Sequence, residues 1–84
     1  RKRALVLHRS LMRVRKLFEA GERSAEKLMN AGREEIAEEK SVRLDYFEIV
    51  NPESLDPVEN VASGVLVAVA AFVGATRLID NILL

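Results

Sequence analysis

The sequence predicts an α+β fold, with two N-terminal helices packed on a small three-stranded antiparallel sheet. Three observations carry that reading. Apolar residues recur every three or four positions as far as about residue 40, and from Val42 they recur every second position. Farther on, Val65 to Val73 is an unbroken apolar run rich in valine, and Gly74-Ala75 can turn it back into a last strand.

The first helix spans roughly Lys2 to Ala20. Leu7, Leu11, Val14 and Phe18, with Ala4 one turn earlier, form its apolar stripe, and Gly21 suits the left-handed residue that closes a helix. No N-cap precedes Arg1, and cations at a helix N-terminus oppose the macrodipole. The chain also opens without Met, so the expectation is that a front half is missing. The second helix runs from an N-cap at Ser24 to about Lys40. Glu26 in its first turn and Lys40 near its end both suit the dipole. Its inner stripe is Ala25, Leu28, Met29, Gly32 and Ile36. Glycine inside a helix costs up to about 1 kcal/mol against alanine, so Gly32 is expected to let a neighbouring element come close.

Strict alternation in the first strand, Val42 to Val50, puts Val42, Leu44, Tyr46, Glu48 and Val50 on one face. Arg43, Asp45, Phe47 and Ile49 then share the other, and both faces are expected to be partly covered. Asn51-Pro52-Glu53-Ser54 reads as a turn with a short helical start, Leu55-Asp56-Pro57-Val58 returns the chain, and Ser63-Gly64 marks a break. The second strand covers Val65 to Val73 and the third about Thr76 to Ile82.

A chain of 84 residues is one domain with a small core, and its 49% hydrophobic and 31% charged residues are ordinary for a globular protein. Without cysteine there is no disulfide, thiolate metal site or cysteine nucleophile. That composition fits a cytoplasmic protein. The longest apolar run is far short of a membrane span, and the run after Arg3 breaks at His8-Arg9, too early for a signal peptide. Net charge is zero but poorly mixed: Arg1 to Lys16 holds seven cations and no acid, and Glu34, Glu35, Glu38 and Glu39 crowd the second helix.

The basic first helix could track a phosphate backbone, but no aromatic stacking platform accompanies it, and a solvated or domain-facing surface is the preferred reading. His8 has no second histidine or cysteine to share a metal. None of Ser10, Ser24, Ser41, Ser54 and Ser63 stands in a Gly-x-Ser-x-Gly context. The glutamate cluster lacks the looped spacing of a calcium site and reads as a solvated face. Gly21, Gly32, Gly64 and Gly74 stand singly, so no phosphate loop is present. Arg77 and Asn81 share one face of the last strand and Asp80 the other, with Arg77 able to pair with Asp45 or Glu48 across the sheet.

The segment Ala70-Ala71-Phe72-Val73-Gly74-Ala75-Thr76-Arg77-Leu78-Ile79-Asp80-Asn81 resembles the A-x-x-G-x-x-R-L-I-D-N pattern that ends pantothenate synthetases (pantoate–β-alanine ligases). Asp45-Tyr46-Phe47-Glu48-Ile49, Leu55-Asp56-Pro57-Val58, Arg3-Ala4-Leu5 and Gly21-Glu22-Arg23 are similar to further segments of that family, so the likeness spans essentially the whole chain. It implies that residues 1–84 are a single C-terminal lid domain. The enzyme would use ATP and magnesium to join pantoate to β-alanine through a pantoyl-adenylate, releasing AMP and pyrophosphate. A Rossmann-like N-terminal domain with a His-x-Gly-His motif and a Ser-Ser-Arg-Asn-like loop would carry the ATP and pantoate sites. Neither motif occurs here, so no catalytic, cofactor-binding or metal residue is carried over, and the fragment is expected to be inactive with nothing bound. The implied partners are its own N-terminal domain and a second subunit of a cytoplasmic homodimer, with no nucleic acid or membrane. The competing expectation is a small nucleic-acid-binding or protein-interaction domain that uses the basic first helix.

Overall fold

The computed structural model describes the backbone of residues 2–84 and the side chains from Leu5 onward. Arg1 and the side chains of Lys2, Arg3 and Ala4, which belong to the expected cation run and apolar stripe, lie outside the described residues. Helices α1 (Lys2–Glu19) and α2 (Ala25–Ala37) precede strands β1 (Val42–Val50), β2 (Leu66–Val73) and β3 (Thr76–Leu83). The strands form an antiparallel sheet in the order β1-β2-β3, the predicted fold class.

The apolar stripe of α1 explains its position. Val6, Leu7, Leu11 and Val14 are all but sealed from solvent, and α1 lies against β2, β3 and α2. Each fully buried side chain of this kind contributes roughly 1.5–3 kcal/mol relative to exposure, far more than any surface contact in the molecule. Phe18 is only half-buried and takes the Arg23 guanidinium over its ring at 4.0 Å. Gly21 (φ +110°) ends the helix: the Glu22 N–H donates to the Leu17 carbonyl and the Gly21 N–H to that of Phe18, both at 3.0 Å. Such a pair of bonds needs a left-handed residue, which glycine adopts without steric penalty.

The Ser24 hydroxyl caps α2 by accepting from the Lys27 N–H. The helix stops at Ala37, three residues short of the expected end, with Glu38 as its C-cap and the Glu39 N–H donating to the Ile36 carbonyl. Four glutamates massed at its C-terminal end oppose the negative pole of the dipole, and Lys40 falls beyond reach. Leu28 and Ile36 are buried against the sheet, and Gly32 sits under the Phe47 ring of β1.

The face assignment expected for β1 fails at Asp45. The register steps from Leu44↔Ala71 to Tyr46↔Ala70, leaving Asp45 as the extra residue of a bulge. An inserted residue inverts the pleat. Val42 therefore joins Phe47 and Ile49 in the core, with Leu44 packed at its edge, while Arg43, Asp45, Tyr46 and Glu48 face away. Helix α2 packs on β1, and α1 on β2 and β3; Val50, on the opposite face of β1, is buried as well.

Both sheet edges are guarded by arginines from the helix layer. Arg33 of α2 donates to the Phe47 carbonyl at 3.5 Å, and Arg15 of α1 donates to the Leu83 carbonyl at 2.9 Å. On β3 the Asp80 carboxylate also accepts the N–H of Asn81 at 2.9 Å. Occupied edge groups are poor templates for pairing with another chain.

Candidate functional site

Three surfaces bring together residues singled out in the sequence. The first is the outward side of α1, where His8, Arg9, Met12, Arg15, Lys16 and, from α2, Glu35 help line an open groove of about 500 Å³. Much of its positive charge is already matched. Arg13 reaches Glu34 at 3.1 Å and Glu35 at 3.4 Å, and Arg9 reaches Glu35 at 3.5 Å. The expectation of a solvated acidic face holds for exposed Glu34, whereas Glu35 is partly buried, and both pair with cations of α1. Packing of α2 along α1 sets them opposite the cations, a tertiary relation that no spacing along one helix reveals. His8 and Lys16 remain exposed, and neither enters an ion pair.

The second surface is the open end of the sheet. Arg77 bonds Asp45, the extra residue of the bulge, at 3.0 Å, settling the choice between Asp45 and Glu48. The Arg77 guanidinium also lies 5.7 Å from the Tyr46 ring, and Arg43 lies 5.0 Å from that of Phe72. These contacts organise a polar sheet end. They leave no acid–base pair aimed at open space.

The third is the loop after β1. The Asn51 side-chain oxygen accepts the N–H groups of Glu53 (2.8 Å) and Ser54 (3.2 Å), and the Asn51 carbonyl accepts that of Leu55 at 2.7 Å. Leu55 is thereby held at φ +63°, in the left-handed region, with its side chain exposed. For a residue with a Cβ that conformation costs roughly 1–2 kcal/mol. Sequence reading places a turn here but gives no sign of the backbone angle, since leucine is not the residue that announces it.

At the junction of the helices, Glu22 accepts the N–H groups of Ser24 (3.0 Å) and Arg23 (3.1 Å). The Ser24 bond holds the Glu22 carboxyl below its ordinary range against the opposing effect of desolvation, with lesser help from Lys27 and the Arg23 N–H.

No cluster of three or more His, Cys, Asp or Glu side chains able to hold a metal occurs among the described residues, and none of their helices is long and apolar enough to cross a membrane. Gly21, Gly64 and Gly74 serve single turns with positive φ, and Gly32 is filled by an aromatic ring. These residues do not by themselves fit a nucleotide or its magnesium ion.

Fold and surface together define a small α+β module, two helices packed on a three-stranded antiparallel sheet. The chain belongs to the Pantoate-beta-alanine ligase family, which it matches over residues 1–83. It is 55% identical over 84 residues to a pantothenate synthetase of Koribacter versatilis and 50% identical to that of Acidobacterium capsulatum. All of this chain is covered in both alignments, but only 29% and 28% of those relatives. The crystal structure of pantothenate synthetase from Thermus thermophilus superposes with a TM-score of 0.85 at 35% identity, over 92% of this chain and 28% of that one. The chain therefore spans less than a third of the length of these relatives.

Proposed function

We propose that residues 1–84 form the C-terminal lid domain of an ATP-dependent, cytoplasmic, homodimeric ligase that condenses pantoate with β-alanine through a pantoyl-adenylate. The chemistry would reside on an N-terminal nucleotide-binding domain. The observation that carries this reading is the end-to-end match of a chain that covers only 29% of its relative. A layer of helices and sheet with no metal-ligating cluster among its described residues suits a cover better than a catalyst. Closing such a cover excludes water, which would otherwise hydrolyse an acyl-adenylate, and it strengthens electrostatics in the cleft. Helix α1 would couple closure to the nucleotide, with exposed Lys16, which enters no ion pair among the described residues, as a cation able to face phosphates.

The nucleic-acid alternative is weakened by the same geometry, because Arg9 and Arg13 are engaged by Glu34 and Glu35. The test is complementation: AMP formed from ATP, pantoate and β-alanine is followed with the matching N-terminal domain, with and without this chain. The expected result is activity that rises only when both are present. No rise from a folded, docked chain would refute the reading.

A further inference from the structure

We propose that Leu55 is an apolar anchor that docks into a slot rimmed by Lys or Arg on the remainder of the full-length ligase; this rests on the reading of the chain as one domain of that enzyme. Of the exposed large hydrophobic residues, Leu55 is the most exposed, at 65%. Leu5, Ile79 and Leu83 are also exposed, but they belong to a regular helix and strand whose backbone would take almost any residue. Leu55 differs because its φ of +63° favours glycine. A side chain kept where the backbone disfavours it, and where it buries little within the chain, points to a contact outside it.

The loop is built to hold the Leu55 backbone, and so the direction in which its side chain leaves, still. Asn51 binds the N–H groups of Glu53, Ser54 and Leu55, and the Ser54 hydroxyl accepts the Asp56 N–H. The Asn51 N–H donates to the Asp56 carbonyl, and the Val58 N–H to that of Ile49, so the loop is tied back to β1. An anchor fixed in advance loses little conformational entropy on docking.

Charge states the chemistry of the occupant. Residues 44–76 contain no lysine, arginine or histidine. Glu53 and Asp56, which flank Leu55 in the loop, are exposed and enter no ion pair among the described residues, so Leu55 rises between two carboxylates. Its complement is an apolar slot with a basic rim. Because the chain covers only 28–30% of the relatives that match it end to end, the larger part of such a protein is the natural place for that slot.

The test compares Leu55→Gly and Leu55→Asn in two settings, the 84-residue chain and a full-length family enzyme carrying this segment. In the chain alone Leu55→Gly should raise the thermal midpoint by roughly 4–8 °C, by relieving the backbone. In the full-length wild type, amides of residues 51–59 should exchange at least about tenfold more slowly than in the chain alone. Leu55→Gly, Leu55→Asn and the reversal Glu53→Lys/Asp56→Lys should each abolish that protection. Equal exchange in both settings would overturn the proposal, as would protection that survives Leu55→Gly. So would protection that appears in the isolated chain as its concentration rises, which would make the occupant a second copy. Product formation measured on the same samples separates the two claims: protection lost on Leu55→Gly without any dependence of activity on this domain upholds the anchor and refutes the lid.

Discussion

The Phe47 ring lies across Gly32 so closely that a Cβ on Gly32 would sit 2.2 Å from its Cζ. Phe47 is 2% exposed and cannot swing into solvent, so the clash has no cheap release. Overpacking costs typically about 1–3 kcal/mol, which exceeds the gain of up to about 1 kcal/mol in helix propensity. Gly32→Ala should therefore destabilise the chain by about 1–2 kcal/mol in urea unfolding. In a Phe47→Leu background the same change should cost less, or turn favourable. Equal costs in both backgrounds would show that the ring is not the obstacle.

Asp45 and Arg77 are both substantially exposed, and their bond belongs to the class worth roughly 0.2–1 kcal/mol. A double-mutant cycle with Asp45→Ala and Arg77→Ala should give a coupling within that range, smaller still in high salt. A coupling above about 2 kcal/mol would mean that the sheet end is a cooperative network rather than a surface pair.

Arg13 serves two carboxylates, so Arg13→Gln should release Glu34 and leave Glu35 to Arg9, at a cost of at most about 1 kcal/mol. Arg9→Gln should do less. In a full-length enzyme neither change should alter ATP affinity, whereas Lys16→Gln should weaken it. An unchanged ATP affinity for Lys16→Gln would remove α1 from any role beside the phosphates.

Buried Ser10 turns its hydroxyl back onto the Leu7 carbonyl at 2.6 Å. Such a bond within one helix adds little, because the helix supplies that carbonyl with another donor. Ser10→Ala should leave stability unchanged or raise it by up to about 0.5 kcal/mol. A loss of more than about 1 kcal/mol, on the order of a lost hydrogen bond, would show that the hydroxyl matters to packing.

Glu22 links stability to pH. Its folded carboxyl is held below its ordinary value chiefly by the Ser24 N–H. The stabilisation is therefore present above the unfolded pKa and is lost as pH falls through the lowered folded value. Glu22→Gln should flatten that part of the acid limb of a stability–pH curve by lowering the neutral plateau toward the acid level. An identical acid limb in the variant would exclude the linkage.

The sequence alone determined a good deal. Two stripes at helical spacing, the change to a period of two at Val42 and the turn at Gly74-Ala75 set the element order, because each records a local repeat. Ser24 and Gly21 fixed helix ends for the same reason, since a cap is a bond between near neighbours. Gly32 announced a close approach, though not which residue would approach. What the chain could not disclose depends on residues far apart in sequence. The bulge at Asp45 is a mismatch of register between β1 and β2, so neither strand shows it alone, and it moved Val42 and Leu44 onto the face that Phe47 and Ile49 share. The pairing of Arg13 with Glu34 and Glu35 exists only because α1 and α2 lie side by side. The backbone angle of Leu55 follows from the hydrogen bonds that close residues 51–58 onto β1, and leucine's own preferences argue against it. Local repeats and caps are short-range energies written in order along the chain; register, ion pairing and imposed strain are decided when distant segments meet.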